Sequence, residues 1–191
     1  MSLIVTDSEI QRERPMLGLH DAICCFVEDL GNHLQKTQFG DKIQHKVVII
    51  WELDENMKEG KYAGKPFMTS KQYTCTLFEK GNLSKDLESW FSKKMTDETR
   101  KNGFDLQTLI GRKCQLNLIE SENGKYINVG SVLPASKNNN LIQDCIDLPE
   151  WVTKKKMESL DLTHSSHPGN DASEPIPTEG YPEGDDGRLP F

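Results

Sequence analysis

Residues 67–91 read FMTSKQYTCTLFEKGNLSKDLESWF, and within this stretch the periodicity of the chain changes. Lys71, Tyr73, Cys75 and Leu77 alternate with Ser70, Gln72, Thr74 and Thr76, the two-residue repeat of a strand over 67–78. From Asn82 or Ser84 onward the repeat lengthens. Leu83, Leu87, Trp90 and Phe91 recur at i, i+4, i+7 and i+8, which marks an amphipathic helix. The position of that helix among the strands decides the fold.

Upstream, GLHDAICCFVE at 18–28 is rich in strand formers, and DLGNHLQKTQFG at 29–40 reads as a polar loop. DKIQHKVVIIWELD at 41–54 follows as a second strand. Ile43, Val47, Ile49 and Trp51 fall on one face; Lys42, Gln44, Lys46, Val48 and Ile50 fall on the other. A Gly- and Lys-rich loop, ENMKEGKYAGKP, leads into the third strand. Downstream of the helix, DLQTLIG at 105–111 is a short turn with Asp105 as N-cap and Gly111 as C-cap. RKCQLNLIE and KYINVGSVL are two further strands, joined by SENG, whose Asn123-Gly124 pair favours a tight hairpin.

The order is strand–strand–strand–helix–strand–strand. Five short strands with a helix between the third and fourth is the plan of an OB-fold, a partly open Greek-key barrel. A ferredoxin-like domain would need a helix between its first two strands, where the chain has only a short polar segment. The expected class is mainly β, with a lead-in at 1–16, the OB-fold domain at 17–135, and a linker with a short ordered extension at 136–158. From 159 to 191 Ser, Pro, Gly, Asn and acids dominate, a composition that predicts a disordered acidic tail.

The formal charge is −7, which at first argues against a nucleic-acid partner. Its distribution points the other way. Glu158, Asp161, Asp171, Glu174, Glu179, Glu183, Asp185 and Asp186 stand against Arg188 alone in 157–191, so the excess acid resides there and residues 1–156 are formally neutral. No apolar run approaches the ~18 residues of a membrane span, and the N-terminus shows no signal-peptide pattern. Five cysteines (Cys24, Cys25, Cys75, Cys114, Cys145) without CxxC spacing predict a reduced, intracellular protein that uses most of them in packing.

Catalytic constellations are not evident. Glu52, Asp54 and Glu55 cluster where a metal-dependent nuclease would want acids, but they read as solvated loop acids where a strand ends. His20, His33, His45, His164 and His167 are scattered, with no Cys at zinc-site spacing. P-loop and GxSxG patterns are missing from the sequence. No cofactor is expected. A single-strand binder instead needs lysines to follow phosphates and aromatic faces for bases. Candidates are Lys36 and Phe39 in the first loop, Lys42, Lys46 and Trp51 on the second strand, and Lys61, Tyr62, Lys65, Lys71 and Tyr73 beyond it, with Lys125 and Tyr126 at the last hairpin. Trp51 and Tyr73 are equally readable as core residues, and the lysines as an ordinary solvated face.

The chain ends in EGDDGRLPF, residues 183–191. An OB-fold, an acidic tail and a Phe-terminated apolar tip after consecutive aspartates resemble the single-stranded DNA-binding proteins of bacteria and their phages. The tip keeps Asp185, Asp186, Leu189, Pro190 and Phe191, and departs from the bacterial pattern by interposing Gly187 and Arg188. The run HKVVIIWELDE … GKPFMTSKQYTCTLFEKGNLSKDLESW … GFDLQTLIGRKCQLNL resembles phage and prophage members, over roughly residues 18–134. The resemblance implies a non-enzymatic accessory of phage DNA replication, recombination and repair in the bacterial cytoplasm. Such a protein coats single-stranded DNA without sequence preference, sometimes as a homo-oligomer, and recruits partner enzymes through Asp185, Asp186, Leu189, Pro190 and Phe191. The rival readings are an OB-fold protein-interaction module, serving as an anti-host or assembly factor, and, more remotely, a metal-dependent nuclease.

Overall fold

The computed structural model describes residues 13–37, 40–144 and 147–163. They form a mainly β structure of five antiparallel strands: β1 (Gly18–Thr37), β2 (Gly40–Asn56), β3 (Pro66–Thr74), β4 (Lys113–Glu120) and β5 (Ile127–Pro134). Three helices accompany them, α1 (Asn82–Phe91), α2 (Asp97–Asn102) and α3 (Glu150–Thr163), with a 3-10 turn at Leu106–Leu109. The strand order across the sheet is β3-β2-β1-β4-β5. Among the described residues no helix is long and apolar enough to cross a membrane.

The segment 29–37, expected as loop, belongs to β1 and pairs with β2 down to Thr37 opposite Gly40. Its polar residues are compatible with a strand because two bulges re-aim it. Register shifts fall between Cys24 and Phe26 and between Asp29 and Gly31, leaving Cys25 and Leu30 as the extra residues. At the second bulge the Asp29 carboxylate accepts the Gly31 N–H at 2.7 Å and pairs with His45 at 2.6 Å. Burial opposes ionisation of Asp29, but the Gly31 N–H, His45 and Lys156 outweigh it and lower its pKa. Gly31 has φ +76°, and a Cβ there would sit 2.5 Å from Ser159 Oγ of α3. Only glycine meets both demands.

β2 is apolar on both sides because it is covered on both sides. Val47, Ile49, Trp51 and Leu53 join Ala22, Cys24, Phe67, Tyr73, Leu116, Leu118 and Val132 in the main core, which α1 closes with Leu83, Leu87 and Trp90. On the opposite face Val48 and Ile50 pack with Leu30 and with Val152 of α3, flanked by Phe26 and Leu148. Each fully buried aliphatic side chain stabilises the fold by about 1.5–3 kcal/mol, so the second layer anchors α3 firmly. Lys156 bonds Glu28 and Lys155 bonds Gln72 at 3.0 Å.

Residues 136–144, expected to open with a linker, are likewise tied to the sheet. Buried Asn139 donates to the carbonyls of Ala22 and Cys114, and the Asp144 N–H bonds the buried Glu52 carboxylate at 2.8 Å. α2 was not expected. It lacks an apolar stripe and is held by its Thr96 cap, whose hydroxyl accepts the Thr99 N–H. Asp105 caps the 3-10 turn as anticipated, accepting from Gln107 N at 2.9 Å.

β3 and β5 are the two edges of the sheet, and they face each other across a groove of about 560 Å³. One latch spans it. Lys71 Nζ lies 2.7 Å from Asp86 on α1 and donates to the Gly130 carbonyl of β5, while Tyr73 Oη donates to the same carboxylate at 2.8 Å. Burial first, and the Asp86 charge second, push the Tyr73 pKa far above its usual value, so the phenol stays a donor.

Candidate nucleic-acid interface

Two loops lead into the strands that line the groove, the β2–β3 loop into β3 and the β4–β5 hairpin into β5. The β2–β3 loop folds on itself: Met57 N bonds Lys65 O at 2.9 Å and Gly64 N bonds Met57 O at 2.7 Å, with Gly60 and Gly64 at positive φ. Its tip presents Lys61 and Tyr62. Tyr62 is 55% exposed, and the Lys61 ammonium lies 5.3 Å from its ring centre. The β4–β5 hairpin is similarly ordered. Ser121 N donates to Tyr126 O and Tyr126 N donates to Ser121 Oγ, while Asn123 Oδ1 accepts the Lys125 N–H. Tyr126 is 66% exposed although its backbone is fixed on both sides. A stacking ring on a fixed backbone loses little entropy when it meets a base.

The lead-in ties these loops together, a role that its polar sequence did not reveal. Glu13 accepts the backbone N–H of Lys58 and Glu59, and Arg14 donates to Gly124 O at 3.0 Å. Met16 N bonds the Glu55 carboxylate, and the His20 ring bridges Met16 O and Asp54. Glu52, Asp54 and Glu55 are therefore not solvated loop acids. They lie in β2, and each holds a neighbouring segment in place. Among the described residues no group of three or more His, Cys, Asp or Glu side chains is placed to hold a metal ion.

Between the loops, the outward residues Met68, Ser70 and Gln72 of β3 line the groove opposite Tyr126 and Asn128. Lys65 is half-exposed and paired with Asp144 at 3.1 Å. Lys125 is exposed beside Tyr126. Lys61 with Tyr62 on one loop, and Lys125 with Tyr126 on the other, thus form two exposed basic-aromatic pairs on loops that the lead-in bridges.

Six of the expected residues do not join these. Trp51 is fully buried and Tyr73 is 2% exposed, so neither offers a face to a base; both pack in the main core. Lys71 is committed to Asp86 and Gly130 and serves the latch. Lys36, Lys42 and Lys46 lie near the far end of β2, about 45 Å of strand contour from the β2–β3 loop for Lys42. Phe39 lies outside the described residues, as do Cys145, His164, His167 and the partner-binding set Asp185, Asp186, Leu189, Pro190 and Phe191. Cys24, Cys25 and Cys114 are buried and Cys75 is exposed.

A second hollow of about 340 Å³ lies on the other side of α1, where Leu87, Phe91, Met95 and Phe104 form an apolar floor. Lys93, Lys94 and Arg112 rim it, and the Arg112 guanidinium lies 5.3 Å from the centre of the Phe91 ring.

No known protein family matches this chain, and no curated protein matches it.

Proposed function

We propose that this protein is a non-enzymatic, OB-type single-stranded DNA-binding protein, acting without sequence preference in phage replication and recombination. The observation that carries the reading is the pair of exposed tyrosines, Tyr62 and Tyr126, each beside a lysine, on two ordered loops that Glu13 and Arg14 of the lead-in bridge. The connectivity supports it as well: α1 between β3 and β4 and the strand order β3-β2-β1-β4-β5 are compatible with a Greek-key OB domain. Titration of the full chain with oligo-dT at two salt concentrations tests the reading. The expected result is quenched tyrosine emission and a log–log salt slope near −0.7 per phosphate neutralised. Absence of binding at low salt overturns it.

The terminal segment completes the proposal. Asp185 and Asp186 with Leu189, Pro190 and Phe191 suit an apolar pocket with a basic rim on a replication or recombination enzyme. Deleting residues 183–191 is expected to abolish capture of such an enzyme while DNA affinity stays equal or rises. A collapse of DNA affinity in that truncation would refute the assignment.

A protein-interaction module is the second reading, favoured by the apolar, basic-rimmed hollow beside Phe91. It predicts no response to the oligonucleotide.

A further inference from the structure

The outer surface where β1, β2 and β3 run side by side carries two lysines that, among the described residues, have only neutral hydrogen-bond partners. Lys46 Nζ lies 2.6 Å from Gln44 Oε1, 3.2 Å from Gln35 Oε1 and 3.3 Å from Thr74 Oγ1. Lys155, reaching across from α3, donates to Gln72 Oε1 at 3.0 Å. Gln72 and Thr74 both point outward from β3, opposite Val48 and Lys46 of β2.

The chemistry of this patch is one-sided. Each of three glutamines turns its carbonyl oxygen toward an ammonium, and so directs its N–H2 side away from it. The nearby carboxylates of β1 are engaged elsewhere, Glu28 by Lys156 and Asp29 by His45. Lys46 and Lys155 are thus held near one another, bonded to Thr74 and Gln72 two positions apart on β3, with neutral oxygens as their partners. Burial, and then the Lys155 charge, lower the pKa of Lys46 below its ordinary value. An anion resting between the two ammonium groups would remove that repulsion.

We propose that Gln44, Lys46, Gln72, Thr74 and Lys155 form a seat for a phosphate-type oxyanion, in which α3 supplies one of the two cations. The inference deepens the single-strand reading and rests on it for the source of the anion, a backbone phosphodiester. It extends the binding track from the tyrosine groove along the outer face of β3 toward the β1–β2 hairpin, where Lys42 and Lys36 are exposed. It also makes α3, which covers the outer face of β2, part of the binding surface.

The test uses the full chain and the variants Lys46→Gln, Lys155→Gln and the double variant, each confirmed folded by its thermal transition. In one arm, oligo-dT affinity is followed against salt. Each substitution is expected to flatten the log–log slope by about 0.7, the share of one single-strand phosphate. In the other arm, inorganic phosphate is titrated while the side-chain amide signals of Gln44 and Gln72 are followed by NMR. They are expected to shift in the parent and to stay still in the double variant. Phosphate shifts without any oligonucleotide binding would uphold the seat and sink the single-strand reading. Oligonucleotide binding with unaltered slopes, together with amide signals that behave alike in parent and double variant, would do the reverse. A parent silent in both arms overturns the seat.

Discussion

Replacing Trp51 with alanine is expected to destabilise the protein by about 3–5 kcal/mol, the range for removing a large aromatic from a core. Trp51 is fully buried, with its ring 6.1 Å from that of Trp90 and tilted by 52°. Trp90 is itself fixed, since its Nε1 donates to Lys113 O at 2.9 Å. The space left by Trp51 therefore has little means to collapse. Against a typical total of about 5–15 kcal/mol, a large share of the stability is at stake. Trp51→Phe is expected to be much milder, because Trp51 Nε1 is buried without a partner among the described residues and its loss breaks no hydrogen bond. Urea unfolding measures both. A Trp51→Ala variant within about 1 kcal/mol of the parent would show that this ring is not the centre of the core.

The second large effect concerns binding alone. Tyr62→Ala and Tyr126→Ala are each expected to weaken oligo-dT by about 1–3 kcal/mol, roughly five- to 150-fold. Both rings are exposed and both backbones are held by their own loops, so the thermal transition is expected to stay in place. Tyr73→Ala is the contrasting variant: it removes a buried ring and the hydrogen bond to Asp86, and its effect belongs to stability. Unchanged oligonucleotide affinity in the Tyr62/Tyr126 double variant would remove these two loops from the site.

Much of this was legible because periodicity is a local property. The alternation in 41–54 and the switch to a four-residue repeat at Leu83 identify β2 and α1 with near-correct limits, and Asn123-Gly124 marks the last hairpin. The second half of β1 was not legible. Asp29, Gly31, Asn32 and His33 are turn-forming types, and only the partner strand and the bulge at Leu30 make them a strand. Trp51 and Tyr73 illustrate a different limit. A core aromatic and a stacking aromatic look alike in a sequence, and what separates them is burial, a property of the assembled sheet. Val48 and Ile50 carried an unused clue. An apolar outer face on β2 demands a cover, and α3 is that cover. The Lys46–Lys155 pair was invisible for the same reason, since its members are distant in sequence and meet only when α3 docks.

The facing edges of β3 and β5 have one more consequence, for how the molecule behaves in a crowd. An unpaired strand edge is a template on which another chain can add itself and start an aggregate. Here the latch through Lys71, Asp86 and Gly130 ties the two edges together across the groove, so each partly shields the other from a neighbour. A change that frees β5, even one far from any binding residue, would expose both templates at once. Loss of solubility, rather than loss of affinity, would be its first sign.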